Sequence, residues 1–132
     1  MKYFLSYRHT DEDPEVLERL LVPVREAFQA RGDEIYCVYF QEKELKSDPY
    51  TPRDILEHAF IKIEEIGHLF VLQHSSNRSE GMLMEVGFCL GKDIPITVAH
   101  QQDVTNTFLP TMAGVAFDYS DIDDLCNKIS KL

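Results

Sequence analysis

Short apolar runs alternate along this chain with longer stretches of helical period, and that alternation restricts the fold more than any other feature. Tyr3–Tyr7, Ile35–Phe40, Leu69–Gln73, Ile94–Ala99 and Val115–Tyr119 each read as a strand. Between them, Val16, Leu17, Leu20, Leu21, Val24 and Phe28 recur at spacings of one, three and four, and Ile55, Ala59, Phe60 and Ile63 share one helical face. Strand–helix alternation is the pattern of a parallel sheet covered by helices. Five strands predict an α/β doubly wound parallel sheet, flavodoxin-like in its three α/β/α layers, with strand order 2-1-3-4-5. At 132 residues the whole chain, 1–132, reads as one domain.

Local signals place the element ends. Asp13 is a helix cap with Pro14 in the first position, and Gly32 ends that helix. Pro23 lies inside it, lacks an N–H, and is expected to kink or split it. Polar residues and two prolines make Gln41–Pro52 a long loop, after which Thr51, Pro52 and Asp54 start the next helix. A further helix is expected over Glu80–Leu90 with Gly91 beyond it, and a closing one over Asp121–Lys131.

A formal net charge of −10 argues against a nucleic-acid partner, which needs a positive surface. It leaves room for a small phosphorylated or nucleosidic ligand held by a few local donors. Cys37, Cys89 and Cys126 are odd in number, sit in apolar runs and show no metal-ligand spacing, so they read as buried free thiols in a reducing, cytoplasmic setting. No run is apolar enough to span a membrane, and no leader pattern opens the chain. The histidines suggest no metal site, and His100 reads as an exposed loop residue. No cofactor is expected.

In doubly wound sheets ligands bind beyond the carboxyl ends of the strands, where the strand order reverses. That rule brings Ser6, Tyr7, Arg8 and His9, after the first strand, beside His74–Ser79, after the third. Glu85 follows on the next helix, one to two turns in, amid Met82, Leu83, Met84, Val86 and Phe88. A carboxylate in such company is either on a solvent face or partly desolvated in a pocket, where it can attack or stabilise an electron-deficient sugar carbon. Gly81 and Gly87 favour the pocket. Glycine in a helix costs about 1 kcal/mol relative to alanine, so the pair suggests close approach by a ligand or by neighbouring backbone. Tyr36, Tyr39 and Phe40 are either strand core or a stacking surface for a base.

The segment SEGMLMEVGFCLGKDIPI resembles the signature of the nucleoside 2-deoxyribosyltransferase family, which includes deoxynucleoside 5′-monophosphate N-glycosidases. Gly81, Glu85, Gly87, Lys92 and Ile94–Ile96 fall on that pattern, Tyr3-Phe4 resembles the family's opening, and Leu109–Tyr119 its closing segment. The resemblance implies that Glu85 is the catalytic nucleophile attacking C1′, with Tyr3 as its hydroxyl partner. Water or a second base then takes the sugar. Ser6 and Arg8 would hold a phosphate, with Tyr7, His9, Ser79 and Gly81 lining the substrate site. It further implies a homodimer or larger homo-oligomer, with Phe108–Met112 at an interface. Ala59 and Ser79 stand where the family carries aspartates, and His58, Glu57 or Glu80 are candidates to replace them.

A second resemblance competes for the same residues. FLSYRHTDED is similar to the opening of Toll/interleukin-1 receptor (TIR) domains, which also place a serine six residues before a catalytic glutamate, as Ser79 and Glu85 are placed. It implies NAD cleavage, or a non-catalytic signalling or ligand-binding module. Gly81-Met82 replaces the usual Trp-Cys of that group, and the chain has no tryptophan. Under either resemblance the partner is a nucleoside, nucleotide or NAD-like small molecule.

Overall fold

A computed structural model describes residues 1–9, 11–40 and 51–132. Five strands, β1 (Lys2–Tyr7), β2 (Glu34–Tyr36), β3 (Leu69–Gln73), β4 (Ile96–Gln101) and β5 (Val115–Tyr119), form one sheet in the order β2-β1-β3-β4-β5. Every pairing is parallel. The helices are α1 (Pro14–Ala30), α2 (Pro52–Ile66), α3 (Glu80–Lys92), the single turn α4 (Leu109–Met112) and α5 (Ile122–Ile129). The α/β class and the strand order are those expected from the alternation of patterns.

Strand alternation sorts β1 between two cores. Tyr3, Leu5 and Tyr7 face α1 and α5, packing with Leu17, Leu21, Phe28, Phe70 and Leu125. Phe4 faces α2 and α3, packing with Ala59, Ile63, Val71, Met82 and Val86. β3 is buried on both sides, which explains its unbroken apolar run.

Several caps match the sequence signals. Asp13 accepts a hydrogen bond from the Glu15 N–H, and Thr51 and Asp54 form a reciprocal capping box at α2. Gly32 follows α1 at φ +81°, a backbone angle that favours glycine.

Other expectations require correction. Pro23 does not split α1, which runs unbroken over 17 residues. Leu20, Leu21, Val24 and Phe28 on either side of it are buried in one core, and that packing outweighs the lost N–H. β2 ends at Tyr36 rather than Phe40; Tyr36 stacks on Phe4 at 5.5 Å, and Tyr39 and Phe40 pack against the α1-side core. β4 begins at Ile96, two residues late, and carries His100 within it, partly buried rather than exposed. Helix α3 runs through Gly91 to Lys92 and is ended by Asp93 at φ +56°. α5 stops at Ile129. Cys37 and Cys89 are buried thiols, but Cys126 is only partly so. The expected loop lies mostly outside the described residues.

Candidate active site

Ser6 and Glu85 meet where β1 ends under α3. Position 6 shares the parity of Phe4, so its side chain enters the α2/α3 layer, where only 2% of the residue is exposed. Its hydroxyl donates to Glu85 Oε1 across 2.7 Å. Glu85 lies one helical turn before buried Cys89 and is itself half-buried. Burial pushes its carboxyl up to about 7 from an ordinary 4.5, against the opposing effect of the Ser6 hydrogen bond. Burial, with the same carboxylate nearby, holds the Cys89 thiol high. Glu85 is therefore a carboxyl group that changes charge near neutral pH, a property common at catalytic positions.

A cleft of about 100 Å³ opens at the carboxyl edge of the sheet, and neither Ser6 nor Glu85 is among its walls. Its walls include Arg8, Gln73, Ser79 and Met82, with Leu83 and Phe108 at the apolar side. Met82, one turn before Glu85 on the same helix, is a wall residue. The Arg8 guanidinium donates from Nη1 to the Arg78 carbonyl, and its Nε lies 3.3 Å from Glu12 Oε1. His74 Nε2 contacts the Arg8 carbonyl oxygen at 3.0 Å, and the Asn106 amide donates to the Ser76 carbonyl at 3.2 Å. The loops after β1, β3 and β4 are thereby tied into one rim. Ser79 caps α3 by accepting from the Met82 N–H at 3.2 Å.

Not every expected residue arrives. Tyr3 is buried in the opposite layer, against Phe28, Phe70 and His68. It cannot be the hydroxyl partner of Glu85, and Ser6 supplies that hydroxyl instead. Tyr7 lies in the same opposite layer, hydrogen-bonded to the Cys37 thiol and edge-on to His9. His9 itself is exposed. Gly81 sits in the first turn of α3 with open space where a Cβ would project, as does Gly87. Close approach of neighbouring backbone is thus excluded as the reason for either glycine. Ala59 is packed in the α2/α3-side core, His58 bonds Tyr36, and Glu57 pairs with Arg53. Sequence reading missed Gln73, which forms part of the cleft wall; its place as the last residue of β3 was the available signal. Among the described residues no group of His, Cys, Asp and Glu gathers as a metal site, and no helix is long and apolar enough to cross a membrane.

Known structures share this architecture from end to end. A CMP N-glycosidase of Clostridium botulinum, BcmB, superposes with a TM-score of 0.72 over 99% of this chain and 98% of its own, at 13% identity. A 2-deoxyribosyltransferase of Bacillus psychrosaccharolyticus gives 0.69 over 96% and 91%, also at 13% identity. The chain has the fold of these two enzymes. A conserved protein of Enterococcus faecalis V583 gives 0.63 over 98% and 97%, at 13% identity. No family model matches the sequence, and no curated protein does. At this identity the likeness carries the fold, and the residues of the site carry the chemistry.

Proposed function

We propose that the protein cleaves, or transfers across, the N-glycosidic bond of a nucleoside or nucleotide, with Glu85 as the nucleophile. The observation that carries the reading is the half-buried Glu85 carboxyl held by the Ser6 hydroxyl, on the helix whose first residues line a cleft at the carboxyl edge of the sheet. A poorly solvated carboxylate gives up little hydration on bonding to carbon, and it stabilises the positive charge that develops at C1′. In the first step a Glu85 oxygen bonds to C1′, the C1′–N bond breaks, and its electron pair leaves with the base. Water or a second base then attacks C1′ and frees the carboxylate, and the proton this nucleophile loses balances the one the departed base takes up. Arg8, at the rim with the N-terminus of α3 nearby, supports a phosphorylated substrate. The named activities of the two fold neighbours, on CMP and as a 2-deoxyribosyltransferase, favour the same bond. A homo-oligomer belongs to the reading, since Phe108 at the rim and Met112 beyond it are exposed apolar residues.

The test is base release. The protein is incubated with ribo- and deoxyribonucleosides, their 5′-monophosphates and NAD, with and without a second base, beside Glu85→Gln. Release of base by wild type alone supports the reading. Nicotinamide release from NAD would favour the TIR-like reading instead, and release by both proteins alike sinks the assignment of Glu85.

A further inference from the structure

The second step of the proposed reaction calls for a group that takes a proton from the attacking nucleophile, and the cleft walls hold one side chain suited to it. His74 lines the cleft. Among the described residues its other walls are apolar, hydroxyl, amide or guanidinium side chains, and the guanidinium groups of Arg8 and Arg78 stay protonated. An imidazole is the side chain that ordinarily exchanges a proton between about pH 5 and 8. His74 Nε2 lies 3.0 Å from the Arg8 carbonyl oxygen. A carbonyl only accepts, so Nε2 carries the hydrogen and the neutral ring keeps its lone pair on Nδ1. No described residue hydrogen-bonds that Nδ1, and unlike the Nδ1 of His100 it is not shut away from solvent.

The same strand end anchors the nucleophile. Ser6 holds Glu85 through its hydroxyl, and Arg8 holds His74 through its carbonyl. Two residues apart, the Cα atoms of these anchors are separated by at most about 7 Å. Catalytic groups about 6.5–9.5 Å apart leave room for a sugar carbon and one water. The cleft, at about 100 Å³, falls short of the roughly 300–1,000 Å³ of a full ligand pocket. It has space for a few waters at ~30 Å³ each, which suits it to deliver water and not a second base.

We infer that His74 is the general base of the second step, with water as the acceptor that releases the sugar. The inference rests on the N-glycosidic reading above and makes the protein a hydrolase. The water oxygen bonds to C1′ while its proton passes to Nδ1. The bond from C1′ to the Glu85 oxygen breaks, and its electron pair returns to the carboxylate. The imidazolium then passes the proton to the departed base.

The experiment follows base release, within and after the first turnover, in wild type, His74→Gln and His74→Ala, with thermal melting of each. The substrate is the ribo- or deoxyribonucleoside 5′-monophosphate from which wild type releases base fastest. Glutamine keeps a donor for the Arg8 carbonyl but cannot take the proton, and alanine drops both. His74→Gln is expected to release a burst of about one base per site and then to turn over about 10²–10⁴-fold more slowly than wild type. Its kcat/KM, set by the first step, should stay within about threefold. Sodium azide, an anion with no proton to lose, is expected to raise the kcat of both variants at least about tenfold and to yield the glycosyl azide, with wild type unchanged. A loss shared by kcat and kcat/KM, with neither burst nor azide rescue, makes His74 a fastener of the rim and overturns the inference. Unchanged kcat in His74→Gln overturns it too, as does wild-type release that requires a second base. If wild type releases no base from any substrate, the N-glycosidic reading itself fails and the role of His74 falls with it.

Discussion

Ser6 Oγ reaches Glu85 Oε1 across 2.7 Å, and this bond joins β1 to α3 over 79 positions of sequence. Burial pushes the carboxyl up to about 7 even though this hydroxyl favours its charged form. A nucleophile must be ionised, so kcat/KM is expected to rise with pH through about 7 and level above it. Ser6→Ala removes the one opposing effect. A hydrogen bond to a charged group is worth about 1.5–3 kcal/mol, so the limb moves upward by at least about one pH unit. A pH–rate profile of the two proteins measures this. Coincident limbs would show that Glu85 does not titrate in the reaction.

Much of this site is legible in the sequence, and the rest depends on packing. Sheet order follows from strand–helix alternation, and the crevice rule then brings Arg8 and Ser79 together without knowledge of any contact. The family resemblance assigns Tyr3 to Glu85, although positions 3 and 6 of one strand must face opposite layers. Strand parity contained the correction. Pro23 and Phe40 were different in kind: local propensity spoke for a broken helix and a longer strand, and burial against the α1-side core decided otherwise. Gln73 was hidden because only side-chain geometry brings it into the cleft wall.

Glu85→Gln is expected to stabilise the fold while abolishing activity. The folded carboxyl titrates at about 7 and the unfolded one at about 4.5, so between those values the native state binds more protons than the unfolded state. Stability contributed by this group thus falls as pH rises from 4.5 to 7, and the penalty is complete above 7. Relief of that penalty in the amide variant is worth about 3 kcal/mol at pH 8 and less than about 1 kcal/mol below pH 5. Denaturant unfolding of both proteins at the two pH values reads the difference. An equal or lower stability at pH 8 would mean that the carboxylate is better solvated than its burial indicates.

Arg8→Ala should separate binding of phosphate from chemistry. Its guanidinium stands at the cleft rim and ties the Arg78 carbonyl of the β3–α3 loop. Loss of a charged hydrogen bond, about 1.5–3 kcal/mol, raises KM for nucleoside monophosphates by about 10- to 100-fold. Free nucleosides should change by less than about threefold. Steady-state kinetics on a matched nucleoside and monophosphate decide it, and equal losses on both would reduce Arg8 to a loop fastener.

Tyr3→Phe distinguishes the geometry of the site from its family resemblance. If the Tyr3 hydroxyl served Glu85, its removal would shift the pH–rate limb and lower kcat, as Ser6→Ala is expected to do. Tyr3 instead lies behind the sheet, its ring 5.0 Å from Phe28 and 4.5 Å from His68, with burial and the Asp33 carboxylate raising its own titration. Phenylalanine keeps that ring packing and deletes only the oxygen. Activity and its pH dependence should therefore match wild type within about twofold, with any change confined to a melting shift from the α1-side core. A kcat loss of about tenfold or more without a stability change would return Tyr3 to the active site and require the β1 side chains to face the opposite way.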